Sequence, residues 1–229
     1  MSETIKIIQP TITSFPIVQG ERTADLLSRF TKLDNDEREN LLNETTSILS
    51  QCNNPIETVG STTGITIGYV QSGKTMSFTT LTALAIDNGF RILIYFAGIK
   101  NNLLEQTTKR LKKDLLTESD NSRFFKVYQS PSIKTNGHND IKGALKLNRK
   151  PAILITVLKH TKHICELTEI FKTIEVREAL GNNGVLIIDD EADQASLNTY
   201  ARKNSKSEDW EDDEFSSTYS SILDLRASL

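Results

Sequence analysis

Eight consecutive residues, Gly68-Tyr69-Val70-Gln71-Ser72-Gly73-Lys74-Thr75, constrain the fold more than any other stretch of the chain. They follow the spacing G-x-x-x-x-G-K-T. The glycines let the backbone curl and turn successive N–H groups inward, which makes a cradle for an anion. The cradle works when a helix starts directly after it, because the helix N-terminus adds its partial positive charge. A strand must feed it from the other side. Gly64 to Tyr69 reads as that strand, and about Lys74 to Asn88 as the helix, closed by Asn88-Gly89. In this pattern Gly68, Gln71, Ser72, Gly73, Lys74 and Thr75 are the expected phosphate-binding residues. Lys74 reaches the β- and γ-phosphates of ATP, and the Thr75 hydroxyl ligates Mg2+. The competing reading is a glycine-rich turn that binds nothing.

The rest of the chain supplies the strands that such a loop needs. Residues 91–97 and 152–157 are continuous apolar runs, as strands buried on both faces of a parallel sheet require. Residues 124–129 and 185–189 read as two more, so five strands are expected with 64–69. Helices are expected at about 101–116, weakly at 141–147, and in one piece from after Val157 to about Leu180. Strands alternating with helices imply βαβ units. The expected fold is α/β: a three-layer P-loop NTPase with a parallel sheet and helices on both faces. A small helical segment precedes it, with helices near 21–33 and 36–51 stopped by Cys52-Asn53-Asn54-Pro55. The expected division is residues 1–58 for the arm and helical segment and 59–229 for the lobe. The chain ends within a helical pattern (Tyr219, Ile222, Leu223, Leu225), which reads as a break inside a longer protein.

A second motif lies at the end of the last strand. Leu186-Ile187-Ile188-Asp189-Asp190-Glu191-Ala192-Asp193 places carboxylates at a C-terminal strand tip, the edge where open α/β sheets bind ligands. Asp190 is expected to hold Mg2+, usually through water. Glu191 is expected to orient and deprotonate the attacking water. Acidic residues here could instead cap the next helix. Asp189 has two readings, an ion pair with a lysine or a share in the metal site.

Together, 68–75 and Asp190-Glu191-Ala192-Asp193 resemble motifs I and II of the DEAD/DEAH helicases of superfamily 2. With Ala97-Gly98-Ile99-Lys100-Asn101-Asn102-Leu103-Leu104-Glu105-Gln106-Thr107 and 187–196 added, the chain resembles the bacterial helicase-like ATPases that bear the Z-one domain, over roughly residues 20–229. The resemblance implies ATP hydrolysis between two RecA-like lobes, of which this chain would be the N-terminal one. It implies a nucleic-acid track, with DNA favoured. The track would touch residues 98–106 and 156–160, and so Asn101, Gln106, Lys159 and His160. The second lobe would be the missing partner and would bring the arginine that speeds phosphoryl transfer. The sequence has no Ser/Thr-Ala-Thr motif and no adenine-reading glutamine just before Gly64. It also has no carboxylate set with a partner lysine outside the second motif, so the nuclease activity ascribed to that family is not carried over.

Bulk composition limits the alternatives. Hydrophobic residues are 37% and charged residues 25% of 229, which is globular rather than disordered. The net charge of −3 lacks the basic excess of a dedicated duplex-DNA module, so nucleic-acid contacts would be local. Two distant cysteines suggest no zinc site or disulfide framework, and a reducing cytoplasm fits. No apolar run reaches the ~20 residues that span a bilayer. Lys109-Arg110-x-Lys112-Lys113 reads first as a solvated helix face, with phosphate contact second. Residues 203–214, with six acids after Ser207, read as a solvated loop. The leading expectation is a nucleic-acid-dependent ATPase. The alternative is a nucleotide-sensing module in a multi-protein defence or repair assembly.

Overall fold

The computed structural model describes residues 15–56, 60–66, 74–116, 124–190, 192, 196–197 and 217–229, with only the backbone at Lys74 and Thr75. In chain order the elements are α1 (Glu21–Arg29), α2 (Asn35–Ser50), α3 (Lys74–Asp87), β1 (Phe90–Ala97), α4 (Asn101–Leu115), β2 (Phe125–Gln129), α5 (Gly137–Leu145), β3 (Ala152–Val157), α6 (Thr161–Lys172), α7 (Ile174–Leu180), β4 (Gly184–Asp190) and α8 (Ser217–Ser228). The four strands form one parallel sheet in the order β2-β3-β1-β4.

Every residue of β1 and of β3 is buried. A strand with no solvent face needs a helical layer on each side, and the alternation of side chains fills two cores. Ile92, Ile94 and Phe96 of β1 meet Ile153, Ile155 and Val157 of β3 on one face, under α5, α6, α7 and α8. Leu93 and Tyr95 of β1 and Leu154 of β3 point the other way, toward α3 and α4. The crossovers respect a single hand. From β1 the chain moves one way along the sheet through α4 on the α3 face. From β2 to β3 and from β3 to β4 it moves back through helices on the opposite face. Opposite directions on opposite faces are what one crossover hand requires.

Hydroxyl pairs lock the α3 and α4 layer to the sheet. The buried Thr82 of α3 and Tyr95 of β1 share a hydrogen bond, and burial pushes the Tyr95 hydroxyl's pKa upward. Thr108 of α4 meets Thr156 of β3 at 2.7 Å. On the other face, buried Arg91 at the start of β1 donates to the carbonyls of Ala144 and Leu145, at 3.1 and 2.6 Å. It thereby caps the C-terminus of α5 with a cation.

Three expectations need correction. The fifth strand is not formed over 64–66: these residues are exposed and carry no regular structure, and 67–69 lie outside the described residues. Alternating Thr and Ile favour a strand only when a neighbour completes the ladder, and Ile65 is 82% exposed. The helix expected after Val157 is two helices, because Thr173 sits in an extended conformation (ψ 137°) and starts α7 afresh. The weak helix near 141–147 starts earlier, at Gly137, behind a single 3-10 turn at Ile133–Thr135. Residues 203–214 lie outside the described residues.

The N-terminal helices are not a separate layer. Leu26 of α1 and Leu49 of α2 share one core with Leu81 and Leu84 of α3 and Leu93 of β1. Helix α2 begins with a local capping box between Asp34 and Glu37. Helix α1 has Gly20 at its N-cap, which offers no side chain, and the cap comes from a distant residue. The Asp87 carboxylate, at the end of α3, accepts from the backbone N–H groups of Gly20 (3.0 Å), Arg22 (3.2 Å) and Thr23 (2.9 Å) and from the Thr23 hydroxyl (2.7 Å). A Cβ at position 20 would lie 2.6 Å from that carboxylate, so glycine is required for the close approach. Next to it, the Asn88 side chain binds both the N–H and the carbonyl of Val18, each at 2.8 Å.

Asp87→Ala leaves a helix N-terminus without its cap and unties it from α3. The expected loss is about 2 kcal/mol of stability by urea denaturation. A loss below about 0.5 kcal/mol, the size of an ordinary surface change, would contradict the structural role.

Candidate functional site

Parallel strands send all their C-terminal ends to one edge, and the two acidic residues of β4 sit there. Asp189 is in register with Phe96 and Asp190 with Ala97, the last residues of β1. Neighbouring strand residues point to opposite faces, so the two carboxylates separate. Asp189 follows Val185 and Ile187, which pack with the α5–α8 core. Asp190 follows Leu186 and Ile188, which pack with the α3 core.

Asp189 is committed to an ion pair. Its carboxylate lies 2.8 Å from the Lys159 ammonium, and the Lys159 side chain is completely buried. Lys159 follows β3, and its backbone N–H donates to the carbonyl of Gly98 at 2.8 Å, just past the end of β1. The lysine therefore spans the end of β1 to reach β4. Gly98 holds a left-handed conformation (φ 67°), and a Cβ there would press on Leu103 at 2.8 Å. Of the two readings open for Asp189, the lysine pair is the one formed. Lys159, expected at a nucleic-acid track, is instead turned into the protein, and contact with a phosphate would require this pair to open.

Asp190 makes no salt bridge to a described residue. It lines a cavity of ≈ 480 Å³ together with Phe78 and Thr79 of α3, Tyr95 of β1 and one stripe of α4. Helix α3 reaches this edge with its N-terminus, since it hands over through Asn88-Gly89 to the opposite end of β1. Lys74 and Thr75 are its first two residues, so their backbone stands at the start of the helix on the Asp190 side. Gly68, Gln71, Ser72, Gly73 and Glu191 lie outside the described residues.

The α4 stripe is the part that the sequence reading underweighted. Gln106, Thr107, Lys109, Arg110, Lys113 and Asp114 all line the cavity, whereas Lys112 does not. Burial raises the pKa of the Asp114 carboxyl, against the lowering pull of Arg110, Lys113 and Arg29. All four cations of the run are exposed, and Lys109, Arg110 and Lys113 border the cavity whereas Lys112 does not. The signal was in the spacing. Gln106, Lys109 or Arg110, and Lys113 recur every three to four residues and mark one helix face.

The remaining expected residues flank the same edge. Connections leave β1 and β3 toward opposite faces, which opens the edge between them, as at the ligand-binding crevices of doubly wound sheets. Asn101 is exposed as the first residue of α4. His160 is exposed at the N-cap of α6, where its Nδ1 accepts from the Lys162 N–H at 3.3 Å. Its ring meets His163 edge-on at 6.0 Å between centroids. Gln106 lies farther along α4, on the cavity. These residues do not form one cluster.

Removing the lysine from the Lys159–Asp189 pair should strand a carboxylate at the strand tip. Lys159→Met is expected to cost about 3 kcal/mol, and the added change Asp189→Asn to recover a large part of it. Chemical denaturation of the two variants checks this. Equal stability of Lys159→Met and the unchanged chain would show that the pair contributes nothing.

No protein-family model, no curated protein and no solved structure matches this chain, so the resemblance to helicase-like ATPases stands on the motifs of its own sequence.

Proposed function

We propose that this chain is an ATP-binding and hydrolysing lobe of the RecA-like kind, the first motor lobe of a nucleic-acid-dependent helicase or translocase. The observation that carries the reading is the division of labour at the tip of β4. Of two adjacent aspartates, one is tied to a buried lysine, and the other remains without a salt bridge to a described residue on the face of α3. A helix that begins with the Lys-Thr of a G-x-x-x-x-G-K-T run, and a carboxylate beside its layer with no salt bridge to a described residue, would supply the two halves of a magnesium–triphosphate site.

The donor set suits Mg2+, a hard cation that takes oxygen ligands: the Asp190 carboxylate, through water, and the Thr75 hydroxyl. When bound, the ion neutralises charge that develops on the phosphate oxygens. In this reading the N–H groups of 68–75 hold the β- and γ-phosphates of ATP, and Lys74 balances their charge. Glu191, next in the chain to Asp190, takes a proton from the water that attacks the γ-phosphorus. The second lobe would add an arginine, worth about 10³-fold or more in related chemistry. The lobe alone is therefore a binder with slow turnover. Asn101, His160 and the open edge between β1 and β3 would face the nucleic acid.

The finer fold assignment belongs to the same proposal. No described strand pairs with the outer edge of β4. Its residues from Gly184 to Ile187 are only half-buried, although they read as an interior strand. Helix α3 starts at the C-terminal edge of the sheet, so a strand feeding it would run parallel to β4. Residues 64–69 would add there as a fifth strand when the phosphate loop is occupied. Hydrogen exchange tests this. The β4 amides that face the open edge should gain about tenfold or more protection with a non-hydrolysable ATP analogue and Mg2+. Unchanged exchange at saturating analogue would reject the added strand.

Catalysis gives the direct test. Lys74→Ala should weaken ATP binding by about tenfold or more. Glu191→Gln should bind ATP normally and lower turnover by about 10²-fold or more. Turnover should rise when the full-length protein meets single- or double-stranded DNA or RNA. ATP binding with no stimulation by any nucleic acid would move the assignment to the nucleotide-sensing module.

A further inference from the structure

We propose that Lys109 and Lys113 of α4 form a cation pair for the terminal phosphate of a nucleoside triphosphate held beside Asp190. This chain would then carry part of its own charge complement for that phosphate. The inference rests on the nucleotide reading of the same site.

Position is the first argument. Lys109 and Lys113 are four residues apart, one turn of the helix, so their stems lie side by side. Both line the cavity that Asp190 closes from the strand side, and Gln106 and Thr107 sit one turn nearer the C-terminal edge of the sheet. Lys109, Lys112 and Lys113 are all exposed, and Lys112 is the one of the three that does not border the cavity.

Charge is the second argument. Neither Lys109 nor Lys113 makes a salt bridge to a described residue, and Asp190 makes none. The cavity wall carries Lys109, Arg110 and Lys113 against Asp114 and Asp190, an excess of positive charge at a site of ≈ 480 Å³. An anion that bridges Asp190 through a divalent cation and meets the two ammonium groups opposite would balance Asp190, Lys109 and Lys113 together. The terminal phosphate of a magnesium-bound triphosphate is such an anion; a diphosphate lacks the group that reaches across.

The test separates triphosphate from diphosphate. A fluorescent, non-hydrolysable ATP analogue and fluorescent ADP, each with Mg2+, are titrated into the chain and into the double variant Lys109→Gln/Lys113→Gln. Both lysines are exposed, and Lys112→Gln is the control for charge on the same helix. The double variant should weaken the triphosphate about tenfold or more and the diphosphate less than about twofold, because only charge-assisted bonds to the last phosphate are lost. Lys112→Gln should change neither. Equal weakening of both nucleotides, or no change in either, would overturn the cation pair while leaving the nucleotide reading intact, provided Lys74→Ala weakens both. A chain that binds neither nucleotide would reject the nucleotide reading, and the cation pair with it.

Discussion

Burial of β1 on both faces is the constraint from which the rest follows. Its eight residues leave no side for water, and a strand in that position has to be flanked by strands and covered by helices above and below. Parallel neighbours joined by helical crossovers satisfy this, since each crossover deposits a helix on one face. The same topology gathers every C-terminal strand end at one edge. The Asp189–Asp190 pair, the buried Lys159, Gly98 and the N-termini of α4 and α6 meet there because the interior of β1 leaves the chain no other way to fold. The chemistry of the edge is a by-product of packing the middle.

What could be read from the sequence follows the range of the interaction involved. Strands at 91–97 and 152–157 were legible because two-sided burial leaves a continuous apolar run, and the α/β class followed from their alternation with helices. Helix α2 was expected from 36, and the structure shows its start held by a local cap, the Asp34–Glu37 capping box. Helix α1 depends on Asp87, whose bonds span 64 to 67 residues of chain. No local pattern announces such a partner, so the two N-terminal helices read as an appendage when they share the core of α3. The break at Thr173 was hidden for the opposite reason. Its flanking residues keep helical periodicity on both sides, and one extended residue does not disturb an apolar pattern.

The acidic strand tip shows the same boundary at the scale of single side chains. Sequence spacing placed two carboxylates at a strand end but left Asp189 between two roles. The pleat decides between them. Adjacent residues face opposite layers, and Asp189 is the one that meets the buried Lys159 ammonium, at 2.8 Å. Once Asp189 is neutralised by Lys159, Asp190 is the aspartate left to face α3. Along the exposed basic run of α4 the helix places Lys109 and Lys113 at the cavity's border and Lys112 away from it.

The half-buried state of β4 is where packing and function meet. Val185, Leu186 and Ile187 are as apolar as the residues of β1, yet they keep partial exposure because β4 has a described neighbour on one side only. An apolar edge strand is a liability unless something covers it. Ile65 presents the complementary problem, an apolar β-former held in solvent. Joining the two would remove both exposures and bring the residues before Lys74 to the tip where Asp190 stands. Ligand binding and completion of the sheet would then be one event, because the residues that would hold the phosphate follow directly on the fifth strand. Such coupling would make the stability of the lobe depend on nucleotide concentration in the manner of any ligand that favours one state.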